Sequence, residues 1–187
     1  ENFTAFSSEV DPPRVMAYLN DLFLIFDNLC DQYEVYKVET VGDQYVAAVG
    51  VVTGEMLTEE AFTKRMIDPV ISGKSLDAAD DQNTSNQTSI RDVGCSNTGS
   101  MLGFAQAIIE GSRHVVVPET KARPLLRVGV HTGPCMSGIV GTRNFRFCLF
   151  GDTMNTAARM EQHGVPECIH VSQDVMDLAP EHSWEKR

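Results

Sequence analysis

Two carboxylates, a lysine and a tight turn fall within the nine residues KVETVGDQY at 37–45. The β-branched and aromatic texture of 35–51 reads as two antiparallel strands, and Gly42-Asp43 punctuates them as a hairpin turn does. That turn carries Asp43 to a tip, where its carboxylate can reach a bound cation. A glycine-aspartate pair is also an ordinary turn, and Glu39 would share a strand face with Lys37, so a turn residue and a weak ion pair explain both without a ligand. A second run, FCLFGDTMNTAARME at 147–161, leads from a strand directly into a helix. Asp152 is placed to cap that helix, whose first turn presents backbone N–H groups. Asn155 and Arg159 are one turn apart on the same face, so an amide and a guanidinium can address one ligand; a surface ion pair is the plainer use of Arg159. Cys148 taken alone is a small buried hydrophobe.

The glycines of His131-Thr132-Gly133-Pro134 and Gly138-Ile139-Val140-Gly141 match neither the phosphate loop GxxxxGK[ST] nor the dinucleotide fingerprint GxGxxG. His131 ends a strand with no second histidine at ligand spacing, which points to a structural role.

The elements that must position these residues follow from spacing. Asp11-Pro12-Pro13 opens a helix in which Val15, Leu19, Leu22, Phe26 and Leu29 recur at helical intervals. Helical spacing returns over 101–117, residues 125–131 and 146–150 read as strands, and 152–162 reads as a helix closed by Gly164. A short strand over 168–171 precedes a last helix that Ser172 can cap, running through 179. Between them, 54–98 is acidic and polar enough to predict an insertion, partly disordered, with a short helix over 59–67. The order of helices and strands predicts an α+β sandwich, helices packed on a mainly antiparallel sheet.

Composition narrows the function. The chain has 187 residues, 42% of them hydrophobic, which suits a single domain over 1–187 with one sizeable core. A formal charge of −11 opposes nucleic acid and anionic membrane surfaces, but not a small nucleotide carried by a divalent cation. Five cysteines without CxxC spacing argue against a disulfide framework or zinc site and predict a reducing, cytoplasmic setting. No apolar run approaches the ~18 to 20 residues of a membrane-spanning helix, and the start lacks a signal-peptide layout, so no direct membrane contact is expected.

Taken together, KVETVGDQY, LRVGVHTGP at 126–134 and FCLFGDTMNTAARME resemble the signature segments of the class III nucleotidyl cyclase catalytic domain, guanylyl cyclase type. The resemblance implies an α+β fold with a ferredoxin-like βαββαβ core. It also implies a dimer, of two like chains or of related ones, with composite sites to which one subunit supplies metal carboxylates and the other the base-reading and transition-state residues. Asp43 is similar to the second metal-binding aspartate, Glu39 and Cys148 to the purine-selecting pair, Asn155 to the ribose-orienting residue and Arg159 to the one that stabilises the pentavalent phosphorus. Backbone contacts to phosphate map to Phe3 and Thr4. An ionised glutamate only accepts hydrogen bonds, which suits the N1–H and amine of guanine and opposes adenine, so the pair favours GTP. The implied activity is guanylate cyclase, forming 3′,5′-cyclic GMP and pyrophosphate with two Mg²⁺ or Mn²⁺ ions per site. An adenylate cyclase with atypical base readout and a catalytically silent dimerisation module are the alternatives. The family's first metal aspartate would fall just before residue 1 and its triphosphate-contacting lysine beyond residue 187, so the chain as written reads as trimmed at both ends and is expected to bind metal poorly.

Overall fold

The computed structural model describes residues 3–51, 90–118, 121–140 and 146–186. A short helix not foreseen from spacing, α1 (Phe3–Glu9), precedes the long α2 (Pro12–Tyr33). Two prolines occupy the first turn of α2, where a missing N–H costs nothing, and Val15, Tyr18, Leu22, Phe26 and Cys30 form its buried stripe. The helix stops where Glu34 turns left-handed, at φ 55°, and its N–H returns to the Cys30 carbonyl. The chain then runs into β1 (Tyr36–Val41) and β2 (Gln44–Ala48), an antiparallel hairpin. Gly42 alone takes positive φ, 62°, at the first turn position, which is the pattern of a type II′ connection.

The next helix, α3 (Ile90–Ser112), begins eleven residues before the expected start at 101, so 90–98 is helix rather than insertion. Its Gly94-Cys95-Ser96-Asn97-Thr98-Gly99 stretch has weak helix propensity, and tertiary contacts hold it instead. Thr98 is buried, and Leu178 lies against Gly94. The short helix expected over 59–67, and most of the expected insertion, lie outside the described residues.

Two apolar clusters meet on α3. Phe104 and Ile108 pack with Leu22, Phe26, Cys30 and Val35; Leu102 and Ala105 pack with Val130, Val175 and Ala179. The strand expected over 125–131 is limited to β3 (Val128–Val130), which pairs in parallel with β6 (Ile169–Val171). The glycine-bearing stretch after it forms β4 (Met136–Val140), antiparallel to β5 (Arg146–Phe150). Then follow α4 (Asp152–Gln162) and, after β6, α5 (Gln173–Leu178). Asp152 is a first-turn acid of α4 rather than its cap, because Gly151, at φ 140°, takes the cap position. Ser172 flanks α5 as expected, but its hydroxyl bonds to the His131 ring, not to the helix end. The molecule is α+β with mixed strand pairing, built among the described residues from three two-stranded ladders.

Candidate active site

Register across the hairpin decides where Glu39 points. Lys37 stands opposite Ala47 and Glu39 opposite Val46, so two steps on β1 match one on β2 and Val38 is an extra residue, a β-bulge. Directly opposed residues share a face of an antiparallel ladder. Tyr45 and Ala47 face α2 and its cluster, so their partners Thr40 and Lys37 do too, whereas Glu39 goes with Val46 to the other face. The shared face expected for Lys37 and Glu39 in an unbroken strand is therefore corrected by the bulge. Lys37 pairs instead with Asp27 of α2, Nζ to Oδ1 at 2.8 Å. The Tyr45 hydroxyl donates to the same oxygen of Asp27 at 2.6 Å, and the Lys37 ammonium lies 5.1 Å from the centre of the Tyr45 ring.

Strand β1 lies against β5, which carries Cys148, half-buried and opposite Gly138. The strand-to-helix joint at Gly151 then sets α4. Helix α4 seats closely on β3: a Cβ on Gly129 would fall 2.6 Å from the Ala157 carbonyl oxygen and 2.7 Å from Glu161 Cα, so only glycine fits. Arg127 of β3's approach pairs with Glu161 at 3.0 Å, and Thr153 Oγ1 donates to the Pro134 carbonyl at 2.6 Å. Asn155 and Arg159 stand exposed on the helix thus fixed. The surface ion pair that would explain Arg159 is absent among the described residues, and its backbone carbonyl is engaged by His163.

Asp43 sits exposed at the hairpin tip. It is close enough to Tyr18 of α2 to act on it: burial first, and then the Asp43 charge, push the Tyr18 phenol above its ordinary pKa. Tyr18 meets Phe6 edge-on at 5.5 Å, and Phe6 meets Phe3 at 6.0 Å. An exposed carboxylate on a rigid turn suits one ligand position of a divalent cation. Among the described residues no group of three or more His, Cys, Asp or Glu side chains forms a complete site.

His131 is structural, as expected. Its Nδ1 lies 2.7 Å from Ser172 Oγ and 3.7 Å from Asp174, so both partners share one nitrogen and no relay forms. Glu39 thus lies on β1, which packs against β5 with Cys148, and Asn155 and Arg159 follow on the helix after β5; Asp43 lies at the hairpin tip, and Phe3 and Thr4 lie in α1. Sequence reasoning missed Asp27 and Tyr45. Its one signal was a charged residue beside Phe26 on the edge of the apolar stripe of α2.

The chain is similar to known proteins over most of its length. The family model described as the adenylate and guanylate cyclase catalytic domain matches residues 1–187. The receptor-type guanylate cyclase gcy-28 of Caenorhabditis elegans is 36% identical over 176 residues, which are 94% of this chain and 11% of that protein. Among solved structures, the guanylate cyclase domain of RhGC from Catenaria anguillulae, in complex with GTP, superimposes with a TM-score of 0.67 at 28% identity, covering 95% of this chain and 76% of that one. A non-canonical dimeric guanylyl cyclase domain of the RhoGC fusion protein from Blastocladiella emersonii gives 0.67 at 26% identity, covering 96% and 78%. The chain spans between 9% and 19% of the length of such curated relatives.

Proposed function

The chain belongs to the adenylate and guanylate cyclase catalytic domain family, and we propose that it is the catalytic domain of a guanylate cyclase, converting GTP to 3′,5′-cyclic GMP and pyrophosphate in a dimer. The observation that carries this reading is the bulged hairpin, which turns Glu39 away from Lys37 on a strand that lies against the one bearing Cys148. There an ionised Glu39 accepts from N1–H and the exocyclic amine of guanine, the Cys148 thiol meets the base as a weak donor, and adenine, whose N1 is itself an acceptor, is disfavoured.

In the reaction the ribose 3′-oxygen attacks the α-phosphorus and pyrophosphate leaves. Asn155 orients the ribose, and Arg159, one turn further along α4, offsets charge that grows on the phosphorus oxygens. Asp43 would supply one carboxylate to the divalent ions, for which the resemblance implies two Mg²⁺ or Mn²⁺ per site, and backbone at Phe3 and Thr4 would address the phosphates. Such ions, when bound, lower the pKa of the attacking hydroxyl and neutralise the triphosphate. The similarity to a dimeric guanylyl cyclase domain supports sites shared between two subunits. The 187 residues form one catalytic domain, into which the polar stretch that precedes α3 is inserted.

Turnover of GTP and of ATP by the purified full-length protein, each with Mg²⁺ and with Mn²⁺, tests the proposal. Cyclic GMP as the dominant product supports it. Preferred use of ATP points to an adenylate cyclase with atypical base readout, and a folded dimer inert to both nucleotides points to a silent module. Among the described residues no helix is long and apolar enough to cross a membrane.

A further inference from the structure

We infer that His170 is a positioning residue for the phosphoryl-transfer step: its ring ties the last turn of α4 to the sheet and so fixes where Arg159 stands. The inference rests on Arg159 acting in the transition state, as proposed above. Arg127 and Gly129 alternate onto one face of the chain at β3, and His170 of β6 is the direct partner of Gly129 across the parallel pair. All of them meet α4. Arg127 pairs with Glu161 at 3.0 Å, Gly129 lets the helix backbone close in at Ala157 and Glu161, and the His170 Nδ1–H donates to the Met160 carbonyl at 2.8 Å. These contacts mark the seated side of α4. Arg159 lies about 200° round the helix from Ala157, on the far side, and stands exposed.

His170 adds a directed bond at a carbonyl that the helix leaves open. The regular partner of the Met160 carbonyl is the N–H of Gly164, but that N–H turns to the Glu161 carbonyl at 3.0 Å as the chain leaves the helix. Gly164 passes close to the ring, a Cβ there falling 3.5 Å from His170 Cβ. The seat on Gly129 limits how near α4 comes but lets it roll about its axis, whereas a hydrogen bond to one carbonyl resists rolling. Rolling matters because Arg159 is on the end of a lever. Side chains reach about 5 to 6 Å from a helix axis, so a roll of about 10° carries the guanidinium about 1 Å sideways. A misplacement of that size can cost up to about a hundredfold in rate. His163 offers the contrast. Its ring donates to the Arg159 carbonyl at 2.8 Å, but that carbonyl already holds the N–H of His163 at 3.1 Å, and the bond stays within α4 and its cap rather than reaching the sheet.

The test uses the full-length protein as His170→Leu, His170→Asn, His163→Leu, Arg159→Ala and the double variant His170→Leu/Arg159→Ala, each measured for kcat and KM on GTP and for melting temperature. Asparagine places an amide N–H near where the imidazole Nδ1–H stands, so it can renew the bond to Met160. Because Arg127 still holds Glu161, the expected result is a kcat about tenfold lower in His170→Leu with KM within about twofold of the parent. His170→Asn should regain most of that loss, and His163→Leu should keep the parental kcat. In the Arg159→Ala background, His170→Leu should lower kcat no further, since the group it positions is gone. Folded His170→Leu protein with parental kcat, or an equal loss with and without Arg159, would overturn the inference and leave the proposed activity standing. Should His170→Leu not fold, His170→Asn is compared with His170→Gln, whose amide reaches the Nε2 position instead. A near-parental kcat in asparagine and a lowered one in glutamine then supports the inference, and equal values overturn it. A parent whose kcat is indifferent to Arg159→Ala overturns the inference alone, and a parent that makes no cyclic GMP overturns the activity and the inference together.

Discussion

Arg159 has one turn of helix between it and Asn155, and its guanidinium meets no carboxylate among the described residues. A cation left free on a rigid helix is suited to charge that appears only during the reaction, so Arg159→Ala should lower kcat on GTP by about 10² to 10³ with KM little changed. Steady-state kinetics checks this, and an effect confined to KM would assign Arg159 to ground-state binding. The cluster under the hairpin makes a second prediction. Burial, then the hydrogen bond to Asp27, lift the Tyr45 phenol well above its ordinary 10.0. The folded protein keeps a proton that the unfolded chain releases, so this group withdraws stability as pH rises past 10.0. Asp27 behaves in the opposite sense. Burial would raise its pKa, but hydrogen bonds from Lys37 and Tyr45 and the Lys37 charge hold it below 3.8, so its contribution is present above that pH and is lost as pH falls through the folded value. Urea melts of Tyr45→Phe over about pH 8 to 11 should show a shallower alkaline decline than the parent; an unchanged slope would contradict the assignment.

Elements differ in how far local sequence determines them. Helix α2, the hairpin, β5 and α4 were legible because apolar spacing and turn residues agree there with the tertiary outcome: Gly42 takes the positive φ its turn requires, and residues 152–162 form the expected helix. The bulge was not legible, since Lys37-Val38-Glu39 reads as plain alternation and the partner of Lys37, Asp27, comes from α2 on the far side of the interface. Strand β4 was missed because only Ile139 and Val140 of its residues favour strand, and Met136-Ser137-Gly138 becomes strand by pairing with β5. The early start of α3 was missed for the same kind of reason, its contacts with Leu178 and the buried Thr98 outweighing propensity. Close seating of α4 on β3 yields a prediction at this scale. Gly129→Ala drives a methyl into the backbone of α4 near Ala157 and Glu161, which should cost at least about 1 to 3 kcal/mol and shift Asn155 and Arg159 together. Thermal melts and GTP turnover should both fall; a variant with parental stability and rate would show that the helix has room to move.

At the scale of the whole molecule, α3 joins the two apolar clusters, and its first turns are part of that joint. Removing residues 73–97, which polarity alone marks as dispensable, takes away the first eight residues of α3 and should lower the melting temperature by several degrees. A deletion that ends at residue 89 spares the helix, and equal melting of the two deletions would show that the first turns contribute nothing. In the proposed dimer, Asp43 at the hairpin tip of one copy would complete the site that Glu39, Cys148, Asn155 and Arg159 begin on the other. In the proposed reaction Glu39 and Cys148 choose the base. The measurement that addresses it most directly is cyclic-nucleotide production from GTP and ATP by the full-length protein beside its Glu39→Lys/Cys148→Asp variant. A parent that prefers GTP and a variant that moves towards ATP by about tenfold or more is the predicted result. A folded, active variant that keeps the parental preference for GTP would show that the base is read elsewhere.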